Sequence, residues 1–235
     1  MTRHALRFEG PGRPAASSPL LPAGVRLPGS LIGIGENYRP DATPRARPET
    51  RIPLIFGKFP GCVTGDGAPI VVDPRLSEQV VCEGELALVV GERARGLRTE
   101  QQALDALAGI CLANDVSARD LQAADGQSTR GKSLDGFCPL GPELVTLDEL
   151  PDLRALELTT RVNERVVQQA STAQLVFSIP ELVLFCANFM TLYPGDVILT
   201  GTPVAADEAL RLRPGDIVEI CGTGLGVLRN PVVAR

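Results

Sequence analysis

The C-terminal part of the chain contains two copies of a tight turn followed by a short apolar strand. YPGDVILTGTP spans 193–203 and RPGDIVEICGTG spans 213–224, so each copy places Pro-Gly-Asp directly before strand-forming residues. Such units predict hairpin-rich β-structure, because Pro and Gly provide the backbone angles that tight turns require. Short strands are also predicted at 31–35 and 53–58, and a long strand is predicted at 80–91. With few helices between the strands, the chain is predicted to be a β-rich α+β domain and not a doubly wound sheet.

Three other segments have a recognisable pattern. Residues 99–115 begin at an N-capping Thr and are predicted to run as an amphipathic helix into a buried strand. Residues 155–167 alternate apolar and polar side chains and are predicted to form one strand, whereas 171–192 is predicted as a helix broken near Pro180. Residues 1–30 are rich in Pro, Gly and Ala and are predicted to be an irregular arm that precedes a domain at 31–235.

Composition excludes several classes of function. The net charge of −5 argues against a nucleic-acid partner, since a phosphate backbone needs cations to neutralise it. No run approaches 18 apolar residues, so no membrane span is predicted, and the N-terminus lacks the apolar segment of a secretory signal. The six cysteines form no CxxC motif and are interpreted as reduced core residues. Together these features predict a cytoplasmic protein.

The stretch GQSTRGKS at 126–133 matches the P-loop pattern letter by letter. A P-loop needs a buried strand before it and a helix after it, so that backbone N–H groups and the helix N-terminus hold phosphate. Here ARDLQAAD precedes the stretch, and LDGFCPLGP, with its Pro and Gly residues, follows it. The flanks therefore argue against nucleotide binding, and Lys132 needs another explanation.

Lysine is rare in this chain. Among 23 basic residues only Lys58 and Lys132 are lysines. A coding bias towards Arg is the simple explanation. The alternative is that both positions need a compact ammonium group, which a wide guanidinium cannot replace.

Three carboxylates stand out among the apolar strands. Glu83 and Glu85 are two residues apart, so their side chains share one face, and Asp115 ends the apolar run GICLAN. Without a His or thiolate cluster, such a set would suit a hard divalent cation. Two simpler interpretations stay open at this stage: a solvent-facing Glu pair, and an Asx turn or helix cap at Asp115.

Other polar residues lie in segments that follow strands. Arg119 and Asp120 are interpreted as a structural ion pair. Gln122 is a candidate for contact with a substrate carboxylate, and its alternative is a plain polar loop residue. The TGTP segment at 200–203 could form a small anion-binding nest or an ordinary tight turn.

Seven motifs occur in an order that resembles the fumarylacetoacetate hydrolase family from about residue 31 to the C-terminus. They are GENY at 35–38, PLIFGK at 53–58, EGE at 83–85, NDVSARDLQ at 114–122, GKSLDGFCPLGP at 131–142, GDVILTGTP at 195–203 and PGDIVEICGTGLGVLRN at 214–230. Within the family, TAQLVFSIPELV and FMTLYPGD look most similar to the 2-hydroxyhepta-2,4-diene-1,7-dioate isomerase and 5-oxo-dicarboxylate decarboxylase branch.

The resemblance implies a mixed β-roll with flanking helices, assembled as a homodimer. It implies that Mg²⁺ or Mn²⁺ is held by the carboxylates of Glu83, Glu85 and Asp115. It further implies that Gln122, Lys132 and Thr202 bind the carboxylate and oxo groups of a small 2-oxo acid. Lys58, the second lysine, is placed with these residues as a substrate-binding group.

The chain departs from the family pattern at one pair of positions. Many members carry a His three residues after the Asn-Tyr pair and a Glu three residues later, and this dyad orients a water or accepts a proton. Those positions are Asp41 and Pro44 here, and the only histidine, His4, lies outside the matching region. Asp41 is therefore the candidate proton shuttle, with Glu49 as a substitute, on a Pro- and Arg-rich segment at 39–53 that is predicted to be a surface loop.

The favoured function is therefore metal-dependent chemistry through an enolate, either decarboxylation or keto–enol and double-bond isomerisation, in the catabolism of aromatic compounds. Hydrolytic cleavage of an acylpyruvate or fumarylpyruvate bond is the second interpretation, because it needs a base that activates water. A degenerate, non-catalytic subunit of a heteromer is the third.

Overall fold

The protein is described by a computed structural model that covers residues 4–5, 28–39, 52–205 and 207–235. The strands are β1 (His4–Ala5), β2 (Leu31–Gly35), β3 (Leu54–Lys58), β4 (Val63–Gly65), β5 (Ile70–Val72), β6 (Val80–Val81), β7 (Gly84–Val90), β8 (Leu107–Asn114), β9 (Ser117–Ala118), β10 (Cys138–Val145), β11 (Glu157–Val162), β12 (Arg165–Ser171), β13 (Val197–Leu199), β14 (Ile217–Gly222) and β15 (Gly226–Ala234). The α-helices are α1 (Glu100–Asp105), α2 (Arg119–Asp125), α3 (Ile179–Phe189) and α4 (Asp207–Leu210). Single 3₁₀ turns lie at Pro60–Cys62, Leu147–Glu149 and Thr172–Gln174.

Two mixed sheets carry the fold. The larger has the order β1-β10-β8-β7-β13-β2-β3, with β4 parallel to β10 at a branch, and the second has the order β12-β11-β14-β15-β5. Strands β14 and β15 of the second sheet pack on β8 and β10 of the first, and β7 is buried along its whole length. This architecture confirms the predicted β-rich α+β class, with a mixed, curled sheet and flanking helices.

Local sequence signals explain several element boundaries. In both Pro-Gly-Asp turns the Asp carboxylate accepts the backbone N–H three residues earlier, Tyr193 to Asp196 at 2.8 Å and Arg213 to Asp216 at 2.7 Å. The predicted strands β13 and β14 follow these turns. Helix α1 begins after Thr99 with a capping box, in which two N-terminal donors are satisfied reciprocally.

Three predicted elements differ from the structure. The single strand predicted at 155–167 is wrong, because Asn163 and Glu164 adopt positive φ angles and turn the chain into a β11–β12 hairpin. Pro180 does not break a helix; it lies in the first turn of α3, where a missing N–H is harmless. The long strand predicted at 80–91 is interrupted before β7, at the point where Glu83 enters the site.

Some predictions concern residues outside the described part of the chain. Two predicted segments lie mostly outside it and stay predictions: the loop at 39–53, with Asp41 and Glu49, and the arm at 1–30. Within the described residues, no helix is long and apolar enough to cross a membrane.

Candidate functional site

Three buried carboxylates meet at one end of the β7–β8 pair. Gly84 of β7 lies opposite Asn114 of β8, and the N–H of Asp115 donates to the carbonyl of Glu83 over 2.8 Å. This register places the oxygens of Glu83, Glu85 and Asp115 within 4.8 Å of one another. All three residues are at most 4% exposed, so the interpretation as a solvent-facing Glu pair is wrong.

Three cations balance these carboxylates. The Lys58 ammonium donates to Oδ1 of Asp115 over 2.5 Å and to the carbonyl of Phe137 over 2.9 Å. Lys132 donates to Oε2 of Glu83 over 2.8 Å and also to Oδ2 of Asp115. The Arg119 guanidinium lies 2.8 Å from Oε1 of Glu83. The N-cap position of α2 is Ala118, so Asp115 does not serve as a helix cap.

The same contacts shift the pKa values of the buried groups. Burial lowers the pKa of both lysines, but the charge of Asp115 and of further acidic neighbours together outweighs burial and raises the pKa, so both remain ammonium ions. Burial raises the pKa of Asp115, and Lys132 and Lys58 more than reverse this, so it stays ionised. Glu85 differs, since burial and the neighbouring charge of Asp115 raise its pKa well above the usual range.

The TGTP segment closes the site around Glu85. The N–H of Gly201 donates to Oε2 of Glu85 over 2.6 Å. Gly201 has a φ of +94°, and a Cβ there would lie 2.8 Å from Cβ of Asn37, so only glycine fits. Asn37, from the GENY motif, is fully buried and donates to the carbonyl of Thr200 over 2.8 Å. This buried amide therefore fixes the approach of the segment to β2.

A cavity of about 380 Å³ opens onto the carboxylates. The predicted substrate-binding residues Gln122, Lys132 and Thr202 all line it, whereas Lys58 does not. The ammonium of Lys132 also lies 4.7 Å from the centre of the Phe56 ring. Nε2 of Gln122 is buried and has no hydrogen-bond partner within the described ranges, so it can donate to a ligand in the cavity.

Two site residues have roles that the sequence did not indicate. Arg119 does not form the predicted ion pair with Asp120; it binds Glu83 and donates to Oε1 of Gln122 over 3.2 Å. Asp120 instead accepts from the Ser77 hydroxyl over 2.6 Å. The second residue is Gln168 of β12, whose amide contacts Gly84 and Thr202. A polar residue at an inward-facing strand position is the signal that would have identified Gln168.

The donor set fits a hard divalent cation. Three carboxylates converge and offer oxygen atoms only, which are the ligands that a hard cation such as Mg²⁺ or Mn²⁺ prefers. Among the described residues, neither a His nor a Cys belongs to this cluster. Glu83, Glu85 and Asp115 are therefore the residues that would hold such an ion.

Comparisons with known proteins identify the family of the chain. The family model "Fumarylacetoacetate (FAA) hydrolase C-terminal" matches residues 30–233. The chain is 38% identical over 239 residues to "Oxaloacetate tautomerase FAHD2A, mitochondrial" of Bos taurus, which covers 99% of this chain and 75% of the relative. It is 39% identical over 232 residues to "Oxaloacetate tautomerase FAHD2B, mitochondrial" of Homo sapiens, which covers 93% and 73%.

Solved structures show the same fold. A 5-carboxymethyl-2-hydroxymuconate delta-isomerase from Mycobacterium smegmatis superimposes with a TM-score of 0.82 at 39% identity, covering 89% of this chain and 80% of that chain. A fumarylacetoacetate hydrolase from Exiguobacterium antarcticum gives a TM-score of 0.84 at 37% identity, covering 89% and 77%.

Proposed function

Because the chain belongs to the fumarylacetoacetate hydrolase family, we propose that it interconverts the keto and enol forms of a small 2-oxo dicarboxylate such as oxaloacetate. Relatives named as oxaloacetate tautomerases and a structural neighbour named as an isomerase support this choice. Decarboxylation of the same class of substrate shares the enolate and is the second candidate. Hydrolysis has less support, since it needs in addition a base that activates water, and the named relatives above are mostly tautomerases or isomerases.

The balance of charge in the cavity carries the proposal. When all three carboxylates are ionised, as ligands of a bound cation would be, the charges of Glu83, Glu85 and Asp115 and of the three cations Lys58, Lys132 and Arg119 sum to zero. A divalent cation adds two positive charges, and a dianionic substrate restores neutrality. A 2-oxo dicarboxylate has that charge at neutral pH.

We propose Mg²⁺ or Mn²⁺ as the cation, which when bound supplies Lewis acidity towards the oxo oxygen of the substrate. Lys132 would stabilise the negative charge that develops on that oxygen, and Nε2 of Gln122 would donate to a substrate carboxylate. Asp41 stays the predicted proton shuttle. The ammonium of Lys58 faces Asp115 and the carbonyl of Phe137, which favours a supporting role over the predicted contact with substrate.

The test is a tautomerisation assay that follows the ultraviolet absorbance of enol oxaloacetate, with Mg²⁺ or Mn²⁺ and with chelator. We expect metal-dependent conversion by the wild type, loss in Glu83→Gln, and no change in the control Glu92→Gln, which alters an exposed carboxylate. Release of CO₂ with no faster tautomerisation would favour the decarboxylase. No turnover and no binding of metal by calorimetry would contradict the proposal and favour the degenerate subunit.

The wider setting stays a prediction. A homodimer, a cytoplasmic location and a role in aromatic-compound catabolism all follow from the resemblance or composition. Light scattering of the purified chain tests the first of these.

A further inference from the structure

Gln168 crosses from one sheet to the other at the centre of the site. It lies on β12, at the edge of the second sheet, and is only 3% exposed. Its Oε1 accepts the N–H of Gly84 over 3.0 Å, between the two glutamates on the larger sheet. Glycine permits the two sheets to come this close, since a Cβ at Gly84 would lie 2.0 Å from the hydroxyl of Thr160 on β11, next to β12.

The other end of the same amide holds the TGTP segment. Nε2 of Gln168 donates to Oγ1 of Thr202 over 2.7 Å and to the carbonyl of Pro203 over 2.8 Å. The hydroxyl of Thr202 in turn donates to the carbonyl of Gly84 over 3.0 Å. These bonds form a closed ring through Gly84, Gln168 and Thr202, in which each bond polarises the next.

The ring determines where the Thr202 proton can point. The N–H of Gly84 must face an oxygen, so the amide of Gln168 has one orientation and presents only donors to Thr202. Because Oγ1 of Thr202 accepts from Gln168, its own proton is directed to an acceptor: Gly84 in this structure, or an oxygen of a ligand in the cavity that Thr202 lines.

We propose that Gln168 is a positioning residue, which holds Thr202 in place and keeps its hydroxyl as a donor for a substrate carboxylate. The inference rests on the proposed function, because the ligand of Thr202 is the substrate of that reaction. Gln168 itself does not line the described cavity wall and acts through Thr202.

A double-mutant cycle with Gln168→Met and Thr202→Val tests this role, with Gln169→Met as the matched control. Gln169 has the same side chain one position along β12 but is exposed on the opposite face. For Gln168→Met we expect a rise in KM of about tenfold, the usual scale for supporting residues, with a smaller change in kcat. Thr202→Val should give a similar rise, and the double variant no more than either single variant.

Additive losses in the double variant would overturn the inference, because Gln168 would then act independently of Thr202. An unchanged KM with only a lower melting temperature would also overturn it, since that result describes a purely structural amide. If Gln168→Met does not fold, Gln168→Glu serves instead. It keeps the acceptor for Gly84 but presents an acceptor to Thr202, so the hydroxyl proton turns away from the cavity and KM should still rise.

The failure of this inference and that of the proposed function can be told apart. If the wild type shows no tautomerisation, calorimetric binding of oxalate in the presence of Mn²⁺ replaces the kinetic assay, because oxalate resembles the planar end of the enolate that carries the oxo oxygen and its neighbouring carboxylate. Weaker oxalate binding in Gln168→Met, with unchanged binding of Mn²⁺ alone, would support the positioning role. Equal oxalate binding in both proteins would overturn it.

Discussion

Replacement of Lys58 by Met should destabilise the metal-free protein strongly. The Lys58 side chain is fully buried, and its ammonium contacts Oδ1 of Asp115 at 2.5 Å and the carbonyl of Phe137 at 2.9 Å. Removal of one partner of a buried ion pair costs about 3–5 kcal/mol. Lys132 still contacts Asp115 in the variant, so the loss of stability should lie near the lower end of this range. The carbonyl of Phe137 loses its hydrogen bond from Lys58, which adds about 1 kcal/mol. Met keeps the packing of the aliphatic stem.

Thermal unfolding in chelator measures this loss. A destabilisation of about 4 kcal/mol corresponds to a fall in melting temperature of roughly 8–16 °C for a chain of this size. The control is Arg130→Met, which removes the ion pair with Asp125, where the Arg130 side chain is 55% exposed, and should change the melting temperature little. A Lys58→Met protein that melts within about 2 °C of the wild type would refute the view that Lys58 compensates the charge of Asp115.

Three further predictions concern single residues. Glu85→Gln should stabilise the protein in chelator, and the gain should grow as pH rises above about 4.3. Burial raises the pKa of Glu85 in the folded state, so above that pH the unfolded wild type loses a proton that folding must restore, whereas Gln has no such proton. Melting temperatures from pH 5 to 8 test this, and a pH-independent difference would contradict it. Gly84→Ala should destabilise the protein, because the new Cβ would lie 2.0 Å from the Thr160 hydroxyl, whereas Gly57→Ala, also in a strand, has no atom within 4 Å and serves as the control in urea unfolding. Of the six cysteines only Cys221 is partly exposed, so one thiol should react rapidly with a chromogenic disulfide in the native state. Cys221→Ser should abolish that rapid reaction. Rapid reaction of several thiols would contradict the prediction and show that the core opens readily.

The sequence predicted the parts of this site that depend on local pattern. Carboxylates that interrupt or end apolar strands are unusual, so Glu83, Glu85 and Asp115 stood out, and the register of two adjacent strands brings them together. The P-loop interpretation failed on its flanks, and the structure has the short helix α2 before that stretch instead of a strand. The turn chemistry of Pro-Gly-Asp was equally local, and both turns are present.

Features that depend on contacts between distant segments were not predictable in the same way. The partner of Lys58 is 57 residues away, and Gln168 lies 84 residues from Gly84 on another sheet. Nothing near either residue in the sequence encodes that contact, which arises only when the sheets pack. The hairpin at Asn163 was missed for a different reason: its two turn residues, Asn and Glu, lack the glycine that usually marks such a turn.

The pairing of the buried acids with three cations has a consequence for how the protein would respond to a shortage of metal. A cluster of unpaired carboxylates needs its ion in order to fold, whereas this one is already compensated by Lys58, Lys132 and Arg119. On the proposed metal-dependent mechanism, metal starvation should therefore lower the activity of the protein without lowering its abundance, because these ion pairs would keep the metal-free form folded. The amount of protein and the amount of active enzyme would then be set separately, one by synthesis and the other by the supply of a divalent ion.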